Sequence, residues 1–168
     1  MRGILSASCC SDCGYSEPLA LEFDHVESKR ANISLLIAEG YSLRRIVEEV
    51  SLCEVVCVNC HRRRTFSRRG TLRLDRAVIE AEPWPARRRN LLCLCEALEG
   101  ATCADCGTPD RTVLEFDHRG EKRGNVAHFA GSEYSLAVLE AEIGKCDIRC
   151  ANCHRRRTRL AQGGSVNM

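Results

Sequence analysis

Eight of the 13 cysteines stand in four Cys-x-x-Cys pairs: Cys10 with Cys13, Cys57 with Cys60, Cys103 with Cys106, and Cys150 with Cys153. Each pair is a two-residue knuckle, and two knuckles a few tens of residues apart supply four thiolates that can converge tetrahedrally on one zinc ion. The spacing predicts two structural Zn²⁺ ions per chain. A dithiol redox pair is the competing reading, and the matched quartets argue against it. The five histidines form a second pattern. His25 and His118 each follow an aspartate, Asp24 or Asp117, and His61 and His154 each follow the last cysteine of a knuckle. His128 has no counterpart and reads as a surface or packing residue. An Asp-His pair brought near a second histidine offers one carboxylate and one imidazole to a divalent cation, with the other imidazole left as a general base. Fourth-ligand duty on zinc for His61 and His154 is the weaker alternative, since four cysteines already fill each tetrahedron.

These residues belong to an internal repeat. Shifted by 93 positions, residues 10–65 align without a gap on residues 103–158, and about 25 of the 56 pairs are identical. Leu-Glu-Phe-Asp-His recurs at 21–25 and 114–118, and Asn-Cys-His-Arg-Arg-Arg-Thr at 59–65 and 152–158. Such self-similarity means two copies of one unit. Cys53 and Cys146 are also equivalent and read as small buried side chains; Cys9 could compete with Cys10 for the metal, and Cys93 and Cys95, in the helix before the second unit, have no evident partner.

The elements that must position this chemistry follow from pattern. Leu19 to Phe23 and Thr112 to Phe116 alternate like half-buried strands. A turn over Val26 to Asn32 follows. Ser42 and Ser135 are N-cap candidates for helices, the first with Leu43, Ile46, Val47 and Val50 on one face. Short apolar runs, Val55 to Val58 and Ile148 to Ala151, lead into the second knuckles, and an arginine-rich helix opens at His61 or His154. On such a helix His61, Arg64, Thr65 and Arg68 share a face, which sets arginines beside the candidate cation site. Between the repeats, Thr71 to Ala81 and Asn90 to Leu98 read as helical pieces around Pro83-Trp84-Pro85, with Trp84 docking on a neighbouring domain.

Composition bounds the function classes. Net charge is only +2, but the arginines are clustered at 62–64, 87–89 and 155–157. No apolar leader or membrane-spanning stretch is visible, which leads to the expectation of a cytoplasmic protein whose cysteines bind metal rather than form disulfides. Aromatics make up 5% of the chain, so metal is expected to stabilise units too small for a large core.

The order Cys-x-x-Cys-Gly, Leu-Glu-Phe-Asp-His, Cys-x-Asn-Cys-His-Arg-Arg-Arg-Thr resembles the HNH endonucleases, whose ββα-metal finger often carries a four-cysteine zinc site. The resemblance covers both repeats. It implies an α+β fold of two tandem small zinc-stabilised ββα-metal modules, 1–69 and 93–168, joined by a partly helical linker over 70–92. It implies that His25 and His118 are general bases and that Asp24 with His61, and Asp117 with His154, hold a catalytic Mg²⁺ or Mn²⁺. The ligand types also admit Zn²⁺, Ni²⁺ or Co²⁺. The family's middle asparagine is displaced: Asn32 and Asn125, or Asn59 and Asn152, are the candidates to orient the base. Arg62, Arg63, Arg64 and Arg68, with Arg155, Arg156 and Arg157, are the candidate phosphate contacts. The expected activity is hydrolysis of DNA phosphodiesters, DNA in preference to RNA, by a chain with two active sites that as a monomer could nick both strands. A non-catalytic zinc-dependent nucleic-acid binding protein of the same fold is the alternative, and a thiol redox sensor a more distant third.

Overall fold

The structure, a computed structural model, describes residues 2–27, 29–69 and 75–163. It is a mixed α+β chain with two small two-stranded sheets. The elements run α1 (Arg2–Ser6), β1 (Leu21–His25), α2 (Ile33–Ala38), α3 (Leu43–Val50), β2 (Cys53–Cys57), α4 (Val58–Arg69), α5 (Arg76–Glu80), α6 (Pro85–Ala97), β3 (Leu114–His118), α7 (Val126–Gly131), α8 (Leu136–Ile143), β4 (Cys146–Cys150) and α9 (Ala151–Ala161). Every element from β1 to α4 has its counterpart 93 positions later, from β3 to α9, so the sequence repeat is also a structural one. By contacts the chain forms two compact units, Met1–His61 with Thr158–Met168, and Arg62–Arg157.

In the first unit β1 pairs antiparallel with β2, Leu21 opposite Cys57 and His25 opposite Cys53. β3 and β4 repeat this register, Leu114 opposite Cys150 and His118 opposite Cys146. Both first strands start two residues later than their alternation predicts: Pro18–Ala20 forms a turn of 3₁₀ helix, with Glu17 accepting from the Leu19 backbone N–H, and a turn over 111–113 takes that place in the second repeat. Cys10, Leu21, Val56, Cys57 and Cys60 form the first unit's core, and Leu98, Cys103, Val113, Leu114 and Cys150 form the matching cluster in the second. Cysteines thus stand in both of these clusters, and a further cluster of the second unit, Leu94, Val126, Phe129, Ala130 and Leu139, is aliphatic and aromatic.

Ser42 caps α3 as expected, its hydroxyl accepting from the Arg45 backbone N–H. The buried side of α3 differs from the predicted apolar face: Ile46 and Glu49 are inside, while Leu43 is 71% exposed and Val47 also faces solvent. In the second unit α6 packs against α7 and α8, and Leu136, the equivalent of Leu43, joins that cluster. The apolar residues of α3 therefore report the repeat's helix-packing face rather than a face covered in the first unit. The closing helices start three residues before the expected His61 and His154, so the second cysteine of each knuckle already lies in the first turn. Of the helix expected over Thr71 to Ala81, residues 71–74 lie outside the described residues, and Arg76–Glu80 is helical with Asp75 as N-cap. Pro85 at the first turn of α6 makes Trp84 the N-cap residue, and Trp84 stays 61% exposed. No helix among the described residues is long and apolar enough to cross a membrane.

Candidate functional site

The two knuckles of each unit meet. Cys10, Cys13, Cys57 and Cys60 bring one sulfur each within 4.8 Å of one another, and Cys103, Cys106, Cys150 and Cys153 do the same. The first knuckle lies before β1 and the second joins β2 to α4, so the hairpin register sets their approach. Gly14 and Gly107 follow the first knuckles at φ 72, a left-handed conformation that favours glycine, and each N–H turns back to the carbonyl of the first cysteine at 2.9 Å. All 13 cysteines are free thiols.

The donor set fits zinc. Cys13 and Cys57 sulfurs stand 3.8 Å apart, as do those of Cys106 and Cys150. Four thiolates at about 2.3 Å from one tetrahedral ion have edges of about 3.8 Å, whereas a disulfide would need about 2.05 Å. Burial acts to raise the Cys10 and Cys103 thiols, but backbone N–H donors bring both down to about 7, toward the thiolate a metal needs. The chain thus carries two four-cysteine, zinc-type sites. Among the described residues these are the groups of three or more metal-ligating side chains drawn this closely together.

The histidines divide between two other clusters. Glu22 and Asp24, two apart on β1, share one face of the strand. Both meet His61 in the first turns of α4: Nδ1 pairs with Glu22, and Nε2 lies 3.4 Å from Asp24 Oδ1. The second unit repeats the arrangement, with His154 Nδ1 2.9 Å from Glu115 and Nε2 3.4 Å from Asp117 Oδ1. Asp24 and Asp117 are buried. The hydrogen bond to Glu115 raises the basicity of His154, and Asp117 adds to it, against the opposing effect of burial. Burial acts to raise Glu115 too, but His154 and Arg62 hold it below the usual carboxylate range.

His25 has a different partner. Its Nε2 is 2.8 Å from Glu49 Oε1, and the same oxygen accepts from the backbone N–H groups of Arg30 at 3.0 Å and Ala31 at 2.9 Å. His118 meets Glu142 in the same way at 2.9 Å, with the Arg123 N–H on the same oxygen. Glu49 is 0% exposed, and its second oxygen has no hydrogen-bond partner. The Ala31 N–H, with His25 and Arg30, keeps its carboxyl below the ordinary range. Lys145, with backbone donors and His118, lowers Glu142 to about 2. Each hairpin thus brings Asp24 or Asp117 to the helical histidine and gives the strand-end histidine a glutamate on the helix before β2 or β4.

Glu22, Glu49 and their counterparts are the site residues that motif reading missed. Both pairs are identical across the repeat, and period two along the strand places Glu22 beside Asp24. Of the candidate orienting asparagines, Asn59 and Asn152 are buried in the first turns of α4 and α9. Asn32 and Asn125 precede α2 and α7 as exposed N-cap residues, and Asn125 accepts from Lys122 at 3.2 Å. Several of the arginines have partners. Arg62 pairs with Glu115 and Arg63 with Asp110, all within the second compact unit. Arg157 donates to Asp117 Oδ2 at 2.8 Å and to the His118 carbonyl. Arg64 and Arg155 are half-buried; Arg68 and Arg156 are exposed. No family model, curated protein or solved structure matches the chain.

Proposed function

We propose that the chain is a divalent-cation-dependent phosphodiester hydrolase acting on DNA, built on two zinc-stabilised HNH-like (ββα-metal) modules. The observation that carries this reading is the Glu22–His61–Asp24 cluster and its repeat. A carboxylate on Nδ1 fixes the imidazole with its Nε2 lone pair toward Asp24 Oδ1, the carboxylate–histidine arrangement common behind metal ligands. In the neutral histidine two acceptors then face each other at 3.4 Å, and the gap is relieved by a cation, whether a proton or a metal ion. Two ligands of one ion at about 2.1 Å, subtending 90° to 110°, stand about 3.0 to 3.4 Å apart. The pair therefore fits a divalent cation, with Mg²⁺ or Mn²⁺ the working assignment.

When bound, such an ion supplies electrostatic stabilisation of charge on the phosphoryl and leaving oxygens. The remaining work falls to side chains. Glu22 holds the His61 tautomer, and Asp24 contributes the charge that recruits the ion. His25 takes a proton from the attacking water. Exposed arginines of α4 and α9 hold flanking phosphates, contacts without sequence information.

Zinc-loaded protein with Mg²⁺ or Mn²⁺ should relax supercoiled plasmid, and a variant with both H25A and H118A should lose at least about a hundredfold of that rate. Plasmid left supercoiled by wild type in both metals defeats the proposal. A second reading, a nucleic-acid binding protein without hydrolysis, is favoured by the arginines already bound to Asp117. A gel shift without cleavage selects it.

A further inference from the structure

The two repeats differ at two places that matter to cation binding. Position 56, a valine wholly buried in the first unit's core, corresponds to Arg149 in the second repeat. Both positions lie on the second strand of the hairpin, opposite Glu22 and Glu115 respectively. The Arg149 side chain is 12% exposed and enclosed by carboxylates: Nε bonds both oxygens of Asp105 at 3.1 Å, and Nη1 reaches Asp117 Oδ2 at 3.1 Å and Asp147 Oδ2 at 3.0 Å. A second arginine, Arg119, stands where the first repeat has Val26, and lies 3.6 Å from Asp147. The second repeat thus adds two guanidinium groups where the first has aliphatic side chains.

We propose that the repeats are unequal: the Asp24–His61 pair takes the divalent cation, and Arg149 closes the Asp117–His154 pair to it. This rests on the reading of the Asp–His pairs as cation ligands. A guanidinium stays protonated at any working pH, so it behaves as a permanent cation on Asp117. It cannot withdraw cheaply. Leaving would take a guanidinium from Asp105, from the buried Asp117 and from Asp147 at once, with Arg157 still on Asp117 and Arg119 still beside Asp147, and weakening the pairing of a buried charge is costly. An entering ion must therefore share Asp117 with a positive charge about 4 Å from its own position, which repels it strongly at the effective dielectric of a protein surface. Arg157 does not make this difference, because its counterpart Arg64 is present in the first repeat. The second module then keeps its zinc site and arginine helix as a nucleic-acid holding surface, and hydrolysis is confined to the first.

The test is the number of Mn²⁺ ions bound by the full zinc-loaded chain without nucleic acid, read by calorimetry and by the electron paramagnetic resonance of free Mn²⁺. Wild type should bind one ion, D24N none of comparable affinity, and R149M two, the second gained through at least about a tenfold drop in its Kd. Two equal sites in wild type, or a count still at one in zinc-replete R149M, overturn the inequality and leave the hydrolase reading standing. No Mn²⁺ site in wild type or in R149M overturns both. If R149M loses zinc and fails to fold, D24N decides alone: loss of the single wild-type site supports the proposal, and its retention overturns it.

Discussion

Glu49 and Glu142 show how much one carboxylate organises in these small units. Each is buried on the inner side of its helix together with an apolar residue, Ile46 or Leu139, and each gathers a histidine and backbone N–H groups from the segment between the first strand and the next helix. That segment has little apolar content, so a buried anion does the fastening that packing does elsewhere. Removing it leaves several buried donors without an acceptor, the more costly side of hydrogen bonding. The Glu142 carboxyl, with its folded value near 2 against an ordinary 4.5, stabilises the fold fully above about pH 4.5 and ceases to as pH falls toward 2. E142Q should therefore melt at least about 5 °C below wild type at pH 7. The gap should shrink as pH falls through that window. Calorimetry of the two proteins side by side tests this, and a gap independent of pH from 6 down to 3 would rule out the ionised carboxylate as the source. The cysteines were legible in the sequence because coordination demands fixed residue types at fixed spacing. Glu49 was not, since a glutamate in an amphipathic helix ordinarily reads as solvent-facing; only its recurrence at Glu142 marked it.

At the scale of elements, the hairpin and the knuckles depend on one another. Each unit's second knuckle begins at the last residue of one strand and ends in the first turn of a helix, so the four sulfurs converge only if register and helix start are both in place. The first strand and α3 could be read from alternation and the Ser42 cap, whereas the second strand showed only as a short apolar run and its pairing came with the resemblance. The strand limits could not, because the turns over 18–20 and 111–113 displace them, and α2 and α7 carry little periodic signal because each is only six residues long. A two-stranded sheet has marginal stability alone, and binding of structural zinc contributes on the order of 10 kcal/mol. Cys57→Ser should reduce zinc from two ions per chain to one and remove hydrogen-exchange protection from residues 21–25 and 53–57 while residues 114–118 and 146–150 stay protected. Native mass spectrometry and exchange measurements read both outcomes. Loss of protection in both hairpins at once would show that the ions do not hold the units separately.

For the whole molecule, duplication raises the question of whether two copies mean two equal sites. The repeat itself is plain in the sequence, and on identity alone both copies are equal: Asp-His, the knuckles and the arginine run are kept in each. What separates them at the Asp-His pair is above all the Val-to-Arg difference at position 149, which no motif includes, and its meaning depends on the carboxylates that surround Arg149 in the fold. If only the first module hydrolyses, a single encounter cuts one strand. Supercoiled plasmid should then accumulate as nicked circle before any linear product forms, and H118A should retain roughly the wild-type nicking rate while H25A loses it by about a hundredfold. R149M, with the second cation site opened, should shift the early product toward linear DNA. Linear DNA formed from the start by wild type, with equal losses in H25A and H118A, would mean that both sites cut and that Arg149 leaves the second one competent.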